Sequence, residues 1–118
     1  IELYHDHGTS EQFHSELKSD MNVEQFPSGK MKVNHLILQI AMLAFNTLRL
    51  IGQLSLSKKE LLPYKTKVSR KRLRKVISDL IFIGCKIVTH ARKKILRLWE
   101  HDPWFPIFKE IYQIICDY

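Results

Sequence analysis

Apolar positions recur at steps of three and four through most of this chain, and at steps near two around residue 90. Phe13, Leu17 and Met21 predict an amphipathic helix over about 9–21. Gly8-Thr9-Ser10-Glu11 reads as its start, because Thr9 or Ser10 can accept first-turn amides. Tyr4 and His7 join that helix only if it begins earlier, against the cost of Gly8 in a helix. Phe26-Pro27-Ser28-Gly29 predicts a turn. From 30 to 54 the chain is apolar almost throughout. That predicts a helix buried on most sides, the centre of a small bundle. A membrane span is not expected, because the run is short and holds His35, Gln39, Asn46 and Arg49.

Pro63 falls in a mixed stretch, 53–68, that predicts a loop with room for one helical turn. Leu73, Val76, Ile77, Leu80 and Ile81 predict a second amphipathic helix within 69–84, closed by Gly84 as C-cap. Its other face carries Arg70, Arg72 and Lys75. The runs Lys86-Ile87-Val88-Thr89-His90 and Lys94-Ile95-Leu96-Arg97-Leu98-Trp99 flank Ala91-Arg92-Lys93. They predict a β-hairpin within 86–99, with a continuing helix as the competitor. A last helix is expected over 105–116, its stripe being Phe108, Ile111 and Ile115, with Pro106 in the first turn where it loses no bond. The predicted fold class is therefore mainly α, about four helices with one β-hairpin.

At 118 residues and 45% hydrophobic, the chain is one domain or part of one, with enough apolar side chains for a core. Ile1 is not Met, which points to processing or trimming and to sequence upstream. No signal-peptide pattern is visible. Cys85 and Cys116 lack any C-x-x-C spacing and read as free thiols of a reducing, cytosolic compartment.

Charge changes the picture more. The net +7 is uneven: residues 58–97 hold 14 of the 19 Lys/Arg, against Glu60 and Asp79 alone. Concentrated positive charge is what phosphate contact requires. The candidate DNA-binding residues are Arg70, Lys71, Arg72, Arg74, Lys75, Arg92, Lys93 and Lys94. A solvated basic face, a membrane surface or an acidic protein competes with that reading.

Local motifs mostly fail. Ser28-Gly29-Lys30 lacks the earlier Gly and the Ser/Thr of a phosphate loop. His5, Asp6 and His7 lack a second ligand pair for zinc. One face remains. On a helix, residues 7, 11, 14 and 18 stack on one side. That sets the Glu11 carboxylate among His7, His14 and Lys18, a set suited to phosphodiester chemistry, with Glu11 as catalytic and metal-binding candidate. His14 is read as facing solvent, as are Glu16 and Asp20.

Tyr4-x2-His7-x3-Glu11-x6-Lys18 resembles the Tyr-x2-Arg-x3-Glu-x6-Lys signature of DDE-type insertion-sequence transposases. Three of the four positions match, and His7 stands where the family has Arg, without Arg's permanent charge or bidentate fork. GTSEQFHSELKSDM, FPSGK, NHLILQIAMLAFNTLRLIGQ, RKRLRKVISDL and THARKKILRL, in that order, extend the resemblance over essentially the whole chain. It implies the C-terminal segment of an RNase H-like catalytic region. Glu11 would be the third carboxylate beside two upstream Asp that hold Mg²⁺ in the complete enzyme. Tyr4, His7 and Lys18 would contact transposon-end DNA. No Asp pair precedes Glu11 here, so the polypeptide alone is expected to be inactive. The partners so implied are DNA and the upstream part of the same transposase. With the catalytic sheet absent, a homodimer is expected to cover the apolar central helix. The setting is the bacterial cytoplasm, at the nucleoid.

Overall fold

The computed structural model describes residues 10–117. Helix α1 covers residues 10–20, and its last turn, Glu16–Asp20, widens to a π turn closed by the Met21 amide donating to the Glu16 carbonyl at 3.2 Å. The chain then reverses at Asn22, whose φ of 54° is a left-handed conformation that Asn tolerates better than most residues. Helix α2 is Met31–Ser57, followed by a 3₁₀ turn, Lys59–Leu61. Helix α3 begins as Leu73–Val76 and runs into a π turn, Ile77–Ile81. Strands β1 (Cys85–His90) and β2 (Lys93–Leu98) pair antiparallel, and helix α4 is Phe105–Cys116. The architecture is mainly helical with one hairpin.

The core lies where the C-terminal half of α2 meets α3 and α4. Leu56, Leu62, Val76, Leu80, Ile107 and Ile111 form it, flanked by Leu48, Ile51, Leu54 and Trp104. Each such aliphatic side chain contributes about 1.5–3 kcal/mol by leaving water. Gly52 is what lets α2 approach α3: a Cβ there would meet Val76 Cγ2 at 3.0 Å.

Three sequence expectations need correction. First, α2 is not buried on most sides. Val33, Leu36, Ile40, Leu43 and Leu50 form a stripe at steps of three, four, three and seven, and each is between 41% and 69% exposed. The periodicity found an apolar helix, but nothing among the described residues covers its first half. The radius of gyration, 17.5 Å, reflects this; a compact chain of this length has about 13–14 Å. Nor is α2 short: at 27 residues it is long and apolar enough to cross a membrane by length and composition. Second, α3 starts at Leu73 rather than 69. The Arg74 amide, in its first turn, donates to the Asp20 carboxylate at 3.1 Å. A side chain of α1 thus caps α3 from across the fold. Third, Gly84 is no left-handed C-cap, since no described glycine has positive φ. Its carbonyl accepts from the Trp99 amide at 2.9 Å, adding a rung to the hairpin, and the Trp99 side chain packs over the place a Cβ would occupy.

The hairpin loop is two residues, Ala91 and Arg92, with φ of 48° and 64°. Two positive φ values make a type I′ turn, which suits the twist of paired strands. Lys93 belongs to β2, not to the turn.

Candidate functional site

Helix α1 has two differently used sides. Glu11, His14, Ser15, Lys18, Ser19 and Glu24 line an open groove of about 450 Å³. Three members of the face expected from helical spacing therefore share one surface. Glu11 and His14 are exposed, and the Lys18 ammonium pairs with Glu24 at 2.9 Å in solvent. Such a pair is worth little to stability. Tyr4, His7 and the Thr9 cap lie outside the described residues.

The other side fastens α1 to the fold. Phe13 stands edge-on to Phe45, with ring centroids 6.0 Å apart, and has two guanidiniums over its ring, Arg49 at 5.0 Å and Arg70 at 4.7 Å. Glu16, expected to face solvent, is 4% exposed and pairs with Arg70 at 2.7 Å. Asp20, also expected outside, has a side chain 1% exposed, held by Arg72 at 3.0 Å and by the Arg74 amide. The helical spacing of Phe13, Leu17 and Met21 located the inner side correctly. It did not reveal that two acids lie there too, because their partners are more than fifty residues away.

Burial of the Asp20 carboxylate acts to raise its pKa. Hydrogen bonds from Arg72, Arg74 and Ser19, with the Arg72 charge, outweigh this and hold it below the ordinary 3.8. A carboxylate with a depressed folded pKa stabilises the fold above its unfolded pKa, and the gain is lost as pH falls through the folded value. Urea titrations of wild type and Asp20→Asn should differ by a constant amount above about pH 5 and converge below 3.8. A gap that persists unchanged to pH 2 would exclude this pairing.

The basic segment 70–75 is largely consumed by these ties. Arg70 pairs with Glu16, Arg72 with Asp20 and Lys75 with Asp79 at 3.1 Å. Lys71, placed on a DNA-facing list by charge alone, is 7% exposed. Its ammonium lies 3.6 Å from Asp79 and 4.2 Å from the Trp104 ring centroid. Burial pushes its pKa down against the pull of Asp79. A phosphate cannot reach an ammonium so enclosed. Among the basic residues of 70–75, Arg74 alone makes no side-chain ion pair within the described residues. Arg92, Lys93 and Lys94 in the hairpin are exposed and likewise unpaired there.

Among the described residues no group of three or more His, Cys, Asp or Glu is placed to hold a metal ion. Glu11 shares its groove with the Lys18 ammonium, and the nearest acid of that groove, Glu24, is already paired. This donor set does not by itself make a magnesium site.

The sequence matches the family model of the transposase DDE domain, group 1, over residues 1–117. The chain belongs to this transposase family. No curated protein and no solved structure matches it. Cys85 and Cys116 are free and exposed.

Proposed function

We propose that this chain is the C-terminal part of a DDE transposase and supplies the third carboxylate of its DNA cleavage and strand-transfer centre through Glu11. The observation that carries the reading is the solvent-facing position of Glu11 on α1, in one groove with Lys18. Ties from Phe13, Glu16 and Asp20 hold the opposite side of that helix. A carboxylate on a helix pinned from behind is presented at a fixed place, as catalysis requires. Lys18, with Tyr4 and His7, would hold DNA phosphate beside it. Mg²⁺ belongs to the complete enzyme, with two upstream Asp as its other ligands, and this polypeptide alone is inactive. Restoring the upstream sequence should yield Mg²⁺-dependent nicking of transposon-end DNA that depends on Glu11. The complete enzyme would work in the bacterial cytoplasm, at the nucleoid.

The alternative is a non-catalytic DNA-binding or protein-interaction module, favoured by the unpaired cations of the hairpin. The two readings are compatible, since one chain can both complete a catalytic centre and grip DNA.

The uncovered α2 stripe bears on partners. The upstream part of the transposase covers it in the complete enzyme, and a second copy of this chain does so otherwise. An apolar stripe of this length seldom stays open to water. Light scattering should show a dimer that Leu43→Glu converts to monomer, whereas a wild-type monomer at high concentration would exclude self-association.

A further inference from the structure

The strand register sorts the hairpin's cations in a way the linear charge count conceals. Residues directly opposite in an antiparallel pair share a face, and faces alternate along each strand. The pairs Lys86↔Arg97, Val88↔Ile95 and His90↔Lys93 therefore lie on one face. Cys85↔Leu98, Ile87↔Leu96 and Thr89↔Lys94 lie on the other. The first face carries Lys86, Arg97 and Lys93, with Arg92 at the tip beside them. The second is mainly apolar, and its Leu96 and Leu98 line a cleft of about 540 Å³ with Phe105, Phe108 and Tyr112 of α4. Leu96 and Leu98 of the second face thus stand beside α4, while Lys86, Arg97 and Lys93 occupy the opposite face.

The cations of the first face have no acid partner among the described residues. Residues 85–98 contain no Asp or Glu, and none of their Lys or Arg makes an ion pair among the described residues. All five, Lys86, Arg92, Lys93, Lys94 and Arg97, are exposed. The 70–75 cluster, equally basic in sequence, is tied to Glu16, Asp20 and Asp79 instead.

We infer that the β1–β2 ribbon is a duplex-DNA contact of this chain, separate from the phosphate contact beside Glu11, gripping phosphates through Lys86, Arg92, Lys93 and Arg97, with Lys94 left out. This deepens, and rests on, the reading of the chain as one that acts on DNA. A two-stranded ribbon is of a width that the major groove of B-DNA admits. Lys86 and His90 are four residues apart on β1, so the cationic edge runs for about 13 Å.

The test is fluorescence anisotropy of the 118-residue chain on a labelled mixed-sequence duplex across a salt series. Four phosphate contacts give a log–log salt slope near −3.6. Lys86→Gln/Arg97→Gln should make the slope shallower by about 1.8 and weaken binding at 0.1 M salt on the order of 50-fold. Lys94→Gln should change affinity less than about 3-fold, because that side chain lies on the other face. These residues are exposed, so circular dichroism should stay that of wild type. Steep salt-dependent binding that ignores Lys86 and Arg97, or responds equally to Lys94, overturns the ribbon and leaves the Glu11 reading intact. Absence of duplex binding, or preference for single strands or for vesicles containing phosphatidylserine, overturns it as well. Nicking that survives Glu11→Gln in the reconstituted enzyme overturns the catalytic reading and leaves the ribbon standing.

Discussion

Asp79→Asn should cost the folded chain about 3–5 kcal/mol at pH 7, because it strands a buried ammonium. Lys71 Nζ makes no hydrogen bond, and its neighbours are the Asp79 carboxylate and the Trp104 ring. A ring face is worth only about 1–2 kcal/mol to a desolvated cation. The loss has a ceiling. An amine with an ordinary pKa of 10.5 gives up its proton at pH 7 for about 5 kcal/mol, after which no charge remains to be solvated. The sign of the pH dependence follows. Once Asp79 is gone, the folded pKa of Lys71 lies further below its unfolded value. The unfolded chain then binds the extra proton between those values, and stability rises with pH across that window. Urea denaturation of Asp79→Asn should therefore show a large loss at pH 7 that shrinks toward pH 10. Lys71→Met removes the buried charge itself and should be close to neutral, or stabilising by about 1 kcal/mol or more. It should also rescue most of the Asp79→Asn defect in the double variant. Equal losses from the two single variants would mean that the pair is not the electrostatic unit described.

Glu11→Gln in an enzyme restored with its upstream sequence should lower strand nicking by at least about 10²–10³-fold, the scale of losing one preorganised electrostatic group. The side chain keeps its shape and loses its charge, so a fall in rate without a fall in stability isolates the carboxylate. Glu11 is exposed and makes no ion pair among the described residues, so its replacement should leave the urea midpoint unmoved. Two neighbours provide the contrast. His14→Ala and Glu24→Gln alter the same groove without touching the acid, and each should change nicking by less than about 10-fold. Glu24→Gln also frees Lys18 from its 2.9 Å pair, so it should tighten rather than weaken DNA contact beside Glu11. Full activity in Glu11→Gln would remove this residue from the catalytic centre.

Much of the fold was legible in the pattern of apolar positions. Phe108, Ile111 and Ile115 marked α4 and Pro106 sits in its first turn as expected, but the helix buries Ile107 with Ile111 and leaves Ile115 half exposed. The β-branched runs marked the hairpin, although Ala91-Arg92 gives none of the Asn-Gly signal typical of its turn. Helix α2 was legible as a helix, yet its burial was not. Periodicity shows that a face is apolar, but it says nothing about whether a partner layer is present. The candidate site divided in the same way. Helical spacing alone brought Glu11, His14 and Lys18 to one groove, since a helix face is a local property.

Sequence by itself thus determined the family, the helical elements with their hairpin, and the face that bears Glu11. Only the tertiary structure decided which charges are free. Charge counting treats Lys71 and Lys93 alike, because it sums positions along a line. Whether a cation meets phosphate or a carboxylate of its own chain depends on which distant segment packs against it. For Arg70 and Arg72 that segment was α1, which brought Glu16 and Asp20, while Lys71 folds back onto Asp79 of the neighbouring α3 turn. For Lys86, Lys93 and Arg97 no acid was brought among the described residues, and the strand register turned all three to one side. Exposed charges further apart than roughly 8–10 Å are largely screened, so folding sorted a single basic stretch into ties that hold the structure and cations left exposed to solvent.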